Sequence, residues 1–209
     1  MIRKDELEMK KMKQLVCIIC LIILVLFSIL YYKNLRNGNN IINKNKDKIV
    51  EYILNDLKEY EAKIEMIVTS NKTENIYEIE QTVSEGLSVQ RVIKPESIEG
   101  MIIELDGNNL KILNTKLQLE KIYNDYDILL NNSLFLNVFI EEYRNNISKN
   151  YEENGEIIFE TKLNNNASTY IKHKRLYVDL ETGKPKKLEI KDNTQKTKIC
   201  IIYNDIEIK

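Results

Sequence analysis

One long apolar run separates the start of the chain from a region of mixed pattern. Residues 15–32 contain no charged side chain, and eighteen helical residues just cross a hydrocarbon core of about 30 Å. The run from Leu15 to Tyr32 therefore predicts a transmembrane helix. Residues 1–14 then form a cytoplasmic N-terminus, residues 33–46 a polar linker, and residues 47–209 an extracytoplasmic domain.

Two other N-terminal signals begin with a similar apolar run. A cleaved signal peptide needs small residues after the run, whereas Tyr31 and Tyr32 end this one and suit a membrane interface. A lipoprotein signal needs a cysteine at the end of the run, whereas Cys17 and Cys20 lie near its start. We therefore expect an uncleaved, single-pass anchor in the cell membrane.

The first half of the domain predicts a helix followed by a meander of strands. Ile49, Ile53 and Leu57 recur at helical spacing within residues 47–58. From residue 62 to residue 68 apolar and polar residues alternate instead, which is typical of a half-buried strand. Further strands are predicted at residues 76–83, 87–93, 101–105 and 110–113.

The second half of the domain repeats this order of a helix followed by strands. A helix is predicted from Ser133 to Arg144, with Asn132 or Ser133 as its N-cap. Alternation then returns at residues 156–163, 168–180, 187–190 and 198–208. The order of elements predicts an α+β domain built on an antiparallel sheet.

Charge argues against nucleic acid as a partner. The chain carries a net charge of −1, and lysines and glutamates are interleaved along the predicted strands. Binding to a phosphate backbone requires a basic patch, which this pattern does not supply.

The residues that resemble catalytic or metal sites have plainer explanations. Cys17 and Cys20 fall inside the apolar run without a second ligand pair. Cys200 lies in an apolar segment and predicts a buried free thiol. The neighbouring cations of His173 lower the pKa of its imidazole, and Asp179 precedes a turn. We therefore predict no catalytic residue, no metal and no cofactor, and hence a protein that is not an enzyme.

Two segments resemble the LolA-like superfamily of lipoprotein-sorting proteins. The first, residues 89–112, reads VQRVIKPESIEGMIIELDGNNLKI, and the second, residues 176–190, reads LYVDLETGKPKKLEI. The positions that match the superfamily's turn are Asp179, Thr182, Gly183 and Pro185. The resemblance implies a curved antiparallel sheet, an open half-barrel, whose concave face is covered by helices.

Within that superfamily, the chain resembles GerS and the GerS-related proteins of clostridial spores. This resemblance implies a non-catalytic protein of the forespore or spore envelope that binds and supports a cortex-modifying N-acetylmuramoyl-L-alanine amidase. The alternative is a lipid or lipoprotein carrier that holds acyl chains on the concave face. The residues expected to line that apolar cavity, or simply the core, are Ile64, Met66, Val68, Val89 and Ile102.

Overall fold

A computed structural model describes residues 45–70, 73–107, 109–124, 134–164 and 171–209. The predicted transmembrane helix at residues 15–32, the predicted cytoplasmic N-terminus and nearly all of the predicted linker lie outside the described residues. Within the described ranges, no helix is both long and apolar enough to cross a membrane. Residues Lys48–Lys209 form one compact unit.

The described residues form one antiparallel sheet of eleven strands. The strands are β1 (Tyr60–Thr69), β2 (Glu74–Ser84), β3 (Leu87–Lys94), β4 (Met101–Asp106), β5 (Asn109–Asn114), β6 (Leu119–Tyr123), β7 (Ile147–Glu153), β8 (Glu156–Lys162), β9 (His173–Asp179), β10 (Pro185–Lys191) and β11 (Thr197–Ile208). Their spatial order is β6-β5-β4-β3-β2-β1-β11-β10-β9-β8-β7.

Two meanders meet at the centre of the sheet. Strands β1 to β6 follow one another to one edge, and β7 to β11 return from the opposite edge to the middle. The first and last strands pair there, with Tyr60 opposite Ile208. The chain must therefore travel from the β6 edge to the β7 edge, and the helix α2 (Leu136–Asn145) lies on this connection.

The N-terminal helical segment, α1, agrees with the predicted amphipathic helix. Residues 45–51 are α-helical and continue into a π-helical turn at Tyr52–Asp56. Ile49, Ile53 and Leu57 are buried and join the hydrophobic core. The 3.6-residue period thus identified the face that packs on the sheet.

Helix α2 begins later than the sequence indicates and is capped differently. The predicted caps, Asn132 and Ser133, lie outside the described residues, and the observed N-cap is Phe135, which makes no side-chain capping bond. The first helical N–H, that of Leu136, instead donates to the hydroxyl of Tyr60, at 3.2 Å. A strand residue therefore satisfies one of the orphan donors of the helix.

The helices pack on one face of the sheet, which we call the inner face. Across it, buried Phe159, Leu176, Leu188 and Ile201 stand opposite one another on β8, β9, β10 and β11. Tyr143 of α2 packs edge-on against Phe159, with ring centroids 5.5 Å apart. The other side of the sheet is called the outer face.

A buried ion pair also holds α2 to the inner face. Lys174 Nζ on β9 lies 2.5 Å from Glu142 Oε2 on α2, and their side chains are 1% and 9% exposed. Burial raises the pKa of Glu142 and lowers the pKa of Lys174, while the attraction between the two groups opposes both shifts. The attraction within the pair therefore offsets part of the free-energy cost of burying each charge.

The two strands that the sequence does not predict are the two edge strands, β6 and β7. The other nine strands coincide with the predicted alternating segments, apart from shifts at their ends. Part of the predicted segment at 168–180 lies outside the described residues. The predicted antiparallel sheet with few helices is confirmed.

Candidate partner-binding surfaces

The structure separates the five residues predicted to line one cavity, Ile64, Met66, Val68, Val89 and Ile102. The first three lie on the inner face of β1, where Ile64 is buried and the other two are half-buried. Val89 and Ile102 lie on the outer face, because Ser88 and Val92 point from the same strand, β3, into the core side. The grouping into one surface was wrong, since a shift of one residue moves a strand side chain to the opposite face.

The turn that matches the superfamily joins β9 to β10 and is structural. One carboxylate oxygen of Asp179 accepts from the Thr182 N–H at 2.7 Å, and the other lies 2.7 Å from Lys186 Nζ. Lys186, followed by Thr182, lowers the pKa of Asp179 to about 2. Gly183 has a φ of +71°, which favours glycine, and Pro185 opens β10. The chain therefore turns between Asp179 and Pro185, and the Asp179 carboxylate holds the turn through these bonds.

His173 and Cys200 both lie on the outer face. His173 opens β9 opposite Lys162 and Lys191, and its pKa is lowered chiefly by burial, with neighbouring cations contributing less. Cys200 is half-buried rather than buried as predicted, because its side chain points away from the inner-face core. Burial raises the pKa of its thiol, which opposes formation of a reactive thiolate.

An open groove of about 420 Å³ lies between α1, α2 and the β2–β3 and β4–β5 turns. Leu57, Leu105 and Ile140 line its apolar wall. Asn137 donates to Ser88 Oγ at 3.1 Å, and its buried Oδ1 has no partner among the described residues. The groove therefore combines an apolar wall with polar and charged residues such as Asn55, Glu141 and Arg144, in the size range of small-molecule pockets.

Solved structures of other proteins resemble this fold. No family model matches the sequence, and a search of curated proteins finds no match. A chain in the structure of the CwlD amidase from Clostridioides difficile in complex with the GerS lipoprotein is similar over 81% of this chain and 95% of its own length, at a TM-score of 0.51 and 24% identity. A LolA superfamily protein from Nitrosomonas europaea is similar over 78% of this chain and 91% of its own, at a TM-score of 0.44 and 13% identity.

The chain shares its fold with a chain of the complex between CwlD and GerS. The resemblance to GerS inferred from the sequence is confirmed at the level of the fold. The similarity extends over nearly all of that chain of the complex.

The domain carries a cluster of exposed apolar side chains at one edge of its sheet. Leu117, Leu119 and Ile122 are 65%, 62% and 53% exposed, and we call them the β6 edge patch. Leu119 belongs to the inner face and Ile122 to the outer face, so the patch surrounds the edge strand. Within the described ranges no strand pairs with the far side of β6. An edge of this kind can accept a strand or an apolar surface from a partner.

The opposite edge exposes fewer large apolar side chains. Strand β7 contains Lys149, Glu152 and Glu153, and Ile147 is its one exposed large apolar side chain, at 70% exposure. Both edge strands carry charged side chains, since β6 contains Glu120 and Lys121, so the two edges differ in apolar exposure rather than in charge. The two edges therefore differ in the partners they can accept.

Within the described ranges, no three histidine, cysteine, aspartate or glutamate side chains are grouped so that they could hold a metal ion. Sequence reasoning also missed the β6 edge patch. The available signal was the apolar pair Leu117 and Leu119 beside the turn after β5, but three polar residues around it obscured the pattern of a strand.

Proposed function

We propose that this protein is a non-catalytic envelope protein whose LolA-like domain binds and supports an N-acetylmuramoyl-L-alanine amidase during sporulation or germination. The proposal is supported by one observation. A chain of the complex between GerS and the amidase CwlD shares the fold of this protein over 95% of its own length. A role in binding requires a surface rather than catalytic residues.

The β6 edge patch is the surface that fits this role best. It combines exposed apolar side chains with the unpaired side of a five-residue edge strand. A partner strand placed beside β6 would gain main-chain hydrogen bonds and would cover Leu119 on one face and Ile122 on the other. Such an interface would combine apolar contacts of Leu119 and Ile122 with polar contacts of Glu120 and Lys121, which lie between them.

The test compares matched variants at the two edges of the sheet. The full-length chain, purified in detergent, is titrated against the amidase encoded by the same organism. Ile122→Glu is expected to weaken binding by at least about tenfold, or about 1.4 kcal/mol. Ile147→Glu, which places the same charge on the other edge strand, is expected to bind like the wild type.

Two outcomes would contradict the proposal. The amidase role fails if the wild-type chain shows no association at about 10 µM, a weak affinity for an envelope complex. The assignment of the surface alone fails if both variants bind equally well.

A second candidate function is the carriage of a lipid or lipoprotein on the inner face. The observation that favours it is a group of half-buried apolar side chains at one end of that face, where Val68 stands opposite Ile199 and Met66 lies beside them. Native mass spectrometry of the protein, released from mild detergent, should then retain bound lipid, and a Val68→Asp variant should lose it. Repeated recovery of a lipid-free protein would exclude this candidate.

We also propose that residues 15–32 hold the domain on the outer side of the cell membrane. A tether followed by a short linker raises the effective concentration of the domain near other anchored proteins. Protease added to intact protoplasts should therefore digest the domain. A protected domain, or a mature N-terminus located after Tyr32, would contradict this topology.

A further inference from the structure

The outer face of β7 to β10 carries the same three-residue arrangement twice. In the first triad, the Tyr151 hydroxyl donates to Glu160 Oε2 at 3.5 Å. Lys149 Nζ lies 3.6 Å from that same carboxylate oxygen and 5.5 Å from the centroid of the Tyr151 ring. The lysine thus contacts both the ring and the carboxylate to which the tyrosine donates.

The second triad repeats these contacts two strands away. The Tyr177 hydroxyl donates to Glu189 Oε2 at 2.9 Å. Lys187 Nζ lies 2.9 Å from Glu189 Oε1 and 4.1 Å from the centroid of the Tyr177 ring. In both triads the lysine lies over the tyrosine ring and beside the glutamate, and the tyrosine donates to the glutamate.

The strand register sets the distance between the triads. Ile158 on β8 stands opposite Tyr151 on one side and opposite Tyr177 on the other. The two tyrosines are thus two strand spacings apart, roughly 10 Å. Ile158 is only 3% exposed but does not belong to the core shared with the helices, so the outer-face side chains themselves cover it.

Arg175 connects the two triads. It stands opposite Glu160 on one side and Glu189 on the other, and its Nη2 donates to Glu160 Oε1 at 3.3 Å. Its Nε is buried and has no hydrogen-bond partner among the described residues. A buried guanidinium N–H without a partner is costly, and the contacts of Arg175 with both neighbouring strands hold it in place.

Around the two triads cations outnumber carboxylates, although Glu153, Glu156 and Asp179 lie farther along the same face. Lys191 lies 3.1 Å from Glu189 Oε2, so the two carboxylates of the triads are shared by four cations, Lys149, Arg175, Lys187 and Lys191. The ammonium groups remain accessible, since the Lys149 and Lys187 side chains are 68% and 35% exposed. The excess charge favours an anionic ligand.

From this geometry we propose that the outer face of β7 to β10 binds a glycan strand that carries one carboxylate per disaccharide. The strand crosses the β-strands, and successive carboxylates pair with Lys149 and Lys187, because the triad separation is about the length of one disaccharide unit. Hydroxyl and N-acetyl groups of the glycan use the remaining lone pairs of Glu160 and Glu189. Since the triads are already held by internal bonds, binding orders few additional side chains.

The sign and the spacing of the charges in the two triads distinguish this ligand from a neutral glycan and from a polyphosphate. A neutral glycan would leave the excess cations unpaired, and a polyphosphate would carry its charges much closer together than the triads are. A glycan with one carboxylate per repeat matches both the sign and the spacing of the charges.

The experiment measures binding of the full-length chain, in detergent and without any amidase, to four probes. The first is a peptidoglycan glycan strand freed of its peptides, so that its lactyl carboxylates are free. The second is the same strand with these carboxylates amidated. The third is a neutral chitin oligosaccharide, and the fourth is inorganic polyphosphate. The free strand is expected to bind at least about tenfold more tightly than any of the other three.

Matched variants locate the site. The double variant Lys149→Ala with Lys187→Ala is expected to lose at least about tenfold in affinity for the free strand. Its fold should survive, because Glu160 keeps Arg175 and Glu189 keeps Lys191 as partners. Lys121→Ala is the control, since Lys121 also lies over a tyrosine ring, that of Tyr123 at 4.8 Å, but on β6.

The proposal is overturned if the free and amidated strands bind equally, if polyphosphate binds as well as the strand, or if the double variant binds like the wild type. Absence of any glycan binding overturns it too. Because no amidase is present, none of these results bears on the amidase role, and the Ile122→Glu variant should keep its full affinity for the strand.

Discussion

The two ends of the sheet are built differently. At one end, three consecutive residues of β8, Ile157, Ile158 and Phe159, are 0%, 3% and 0% exposed, although their side chains alternate between faces. Helix α2 covers one face there, and the network of tyrosines and ion pairs covers the other. At the other end, Leu119 and Ile122 of β6 remain mostly exposed on both faces. We call the end around β8, where both faces are covered, the doubly covered end, and the end at β6, where both faces are exposed, the bare end.

This difference separates two kinds of binding surface. Polar recognition of a regular ligand needs side chains held in fixed positions, which the doubly covered end supplies. Recognition of a protein by an edge strand needs an unpaired backbone and apolar side chains, which the bare end supplies. Local stability should follow the same division, because elements with few buried apolar contacts open most easily.

The largest effect should come from breaking the ion pair beneath α2. Lys174→Met leaves Glu142 buried without its partner, and removal of one partner from a buried pair costs about 3–5 kcal/mol. Urea unfolding measures the loss. The double variant Lys174→Met with Glu142→Leu should regain most of this stability, because neither charge is then buried alone. A single variant as stable as the wild type would show that α2 is not held as described.

Matched leucine variants should show the next largest difference. Leu176→Ala, at a fully buried site on β9, should cost about 2–5 kcal/mol of unfolding free energy. Leu119→Ala, at an exposed site on β6, should cost less than about 0.5 kcal/mol. The same unfolding measurement applies to both variants. Equal losses would remove the contrast between the two ends.

Amide hydrogen exchange should resolve the contrast along the sheet. The amides of β9 and β10 lie between covered faces and should exchange only on global unfolding. The amides of β5 that pair with β6 should exchange through local opening, several-fold faster. Uniform protection from β5 to β10 would mean that the bare end is as stable as the covered one.

The smallest effect concerns pH and the β9–β10 turn. The pKa of Asp179 in the folded state is about 2, below its ordinary value of 3.8. A lowered pKa contributes stability that is present above the unfolded value and is lost as pH falls through the folded one. The wild type should therefore lose its advantage over Asp179→Asn between about pH 4 and pH 2.

Denaturation midpoints at several pH values test this prediction. Glu181→Gln removes a charge from the same turn without affecting the Asp179 hydrogen bonds, so it serves as the control. A constant difference between the wild type and Asp179→Asn over this range would contradict the role assigned to the carboxylate.

The two edge strands, β6 and β7, are the strands that the sequence does not predict. Nine strands were recognisable because burial of one face imposes an apolar residue at every second position. Strand β6, with the sequence LEKIY, and strand β7, with the sequence ISKNYEE, are covered least and need no such alternation. The triads were missed for a related reason, since their members come from four strands and only the register brings them together.

The sequence by itself determined the local elements: the amphipathic α1, the central strands, the Asp179 turn and the resemblance to the LolA-like superfamily. These depend on periodicity and turn chemistry, which short stretches of chain contain. The tertiary structure alone decided which face each strand residue occupies, as Val89 and Ile102 show. It also decided that Tyr60 caps α2 and that Lys174 meets Glu142. These relations join residues far apart in the chain, and pairing between strands, rather than any local preference, fixes them.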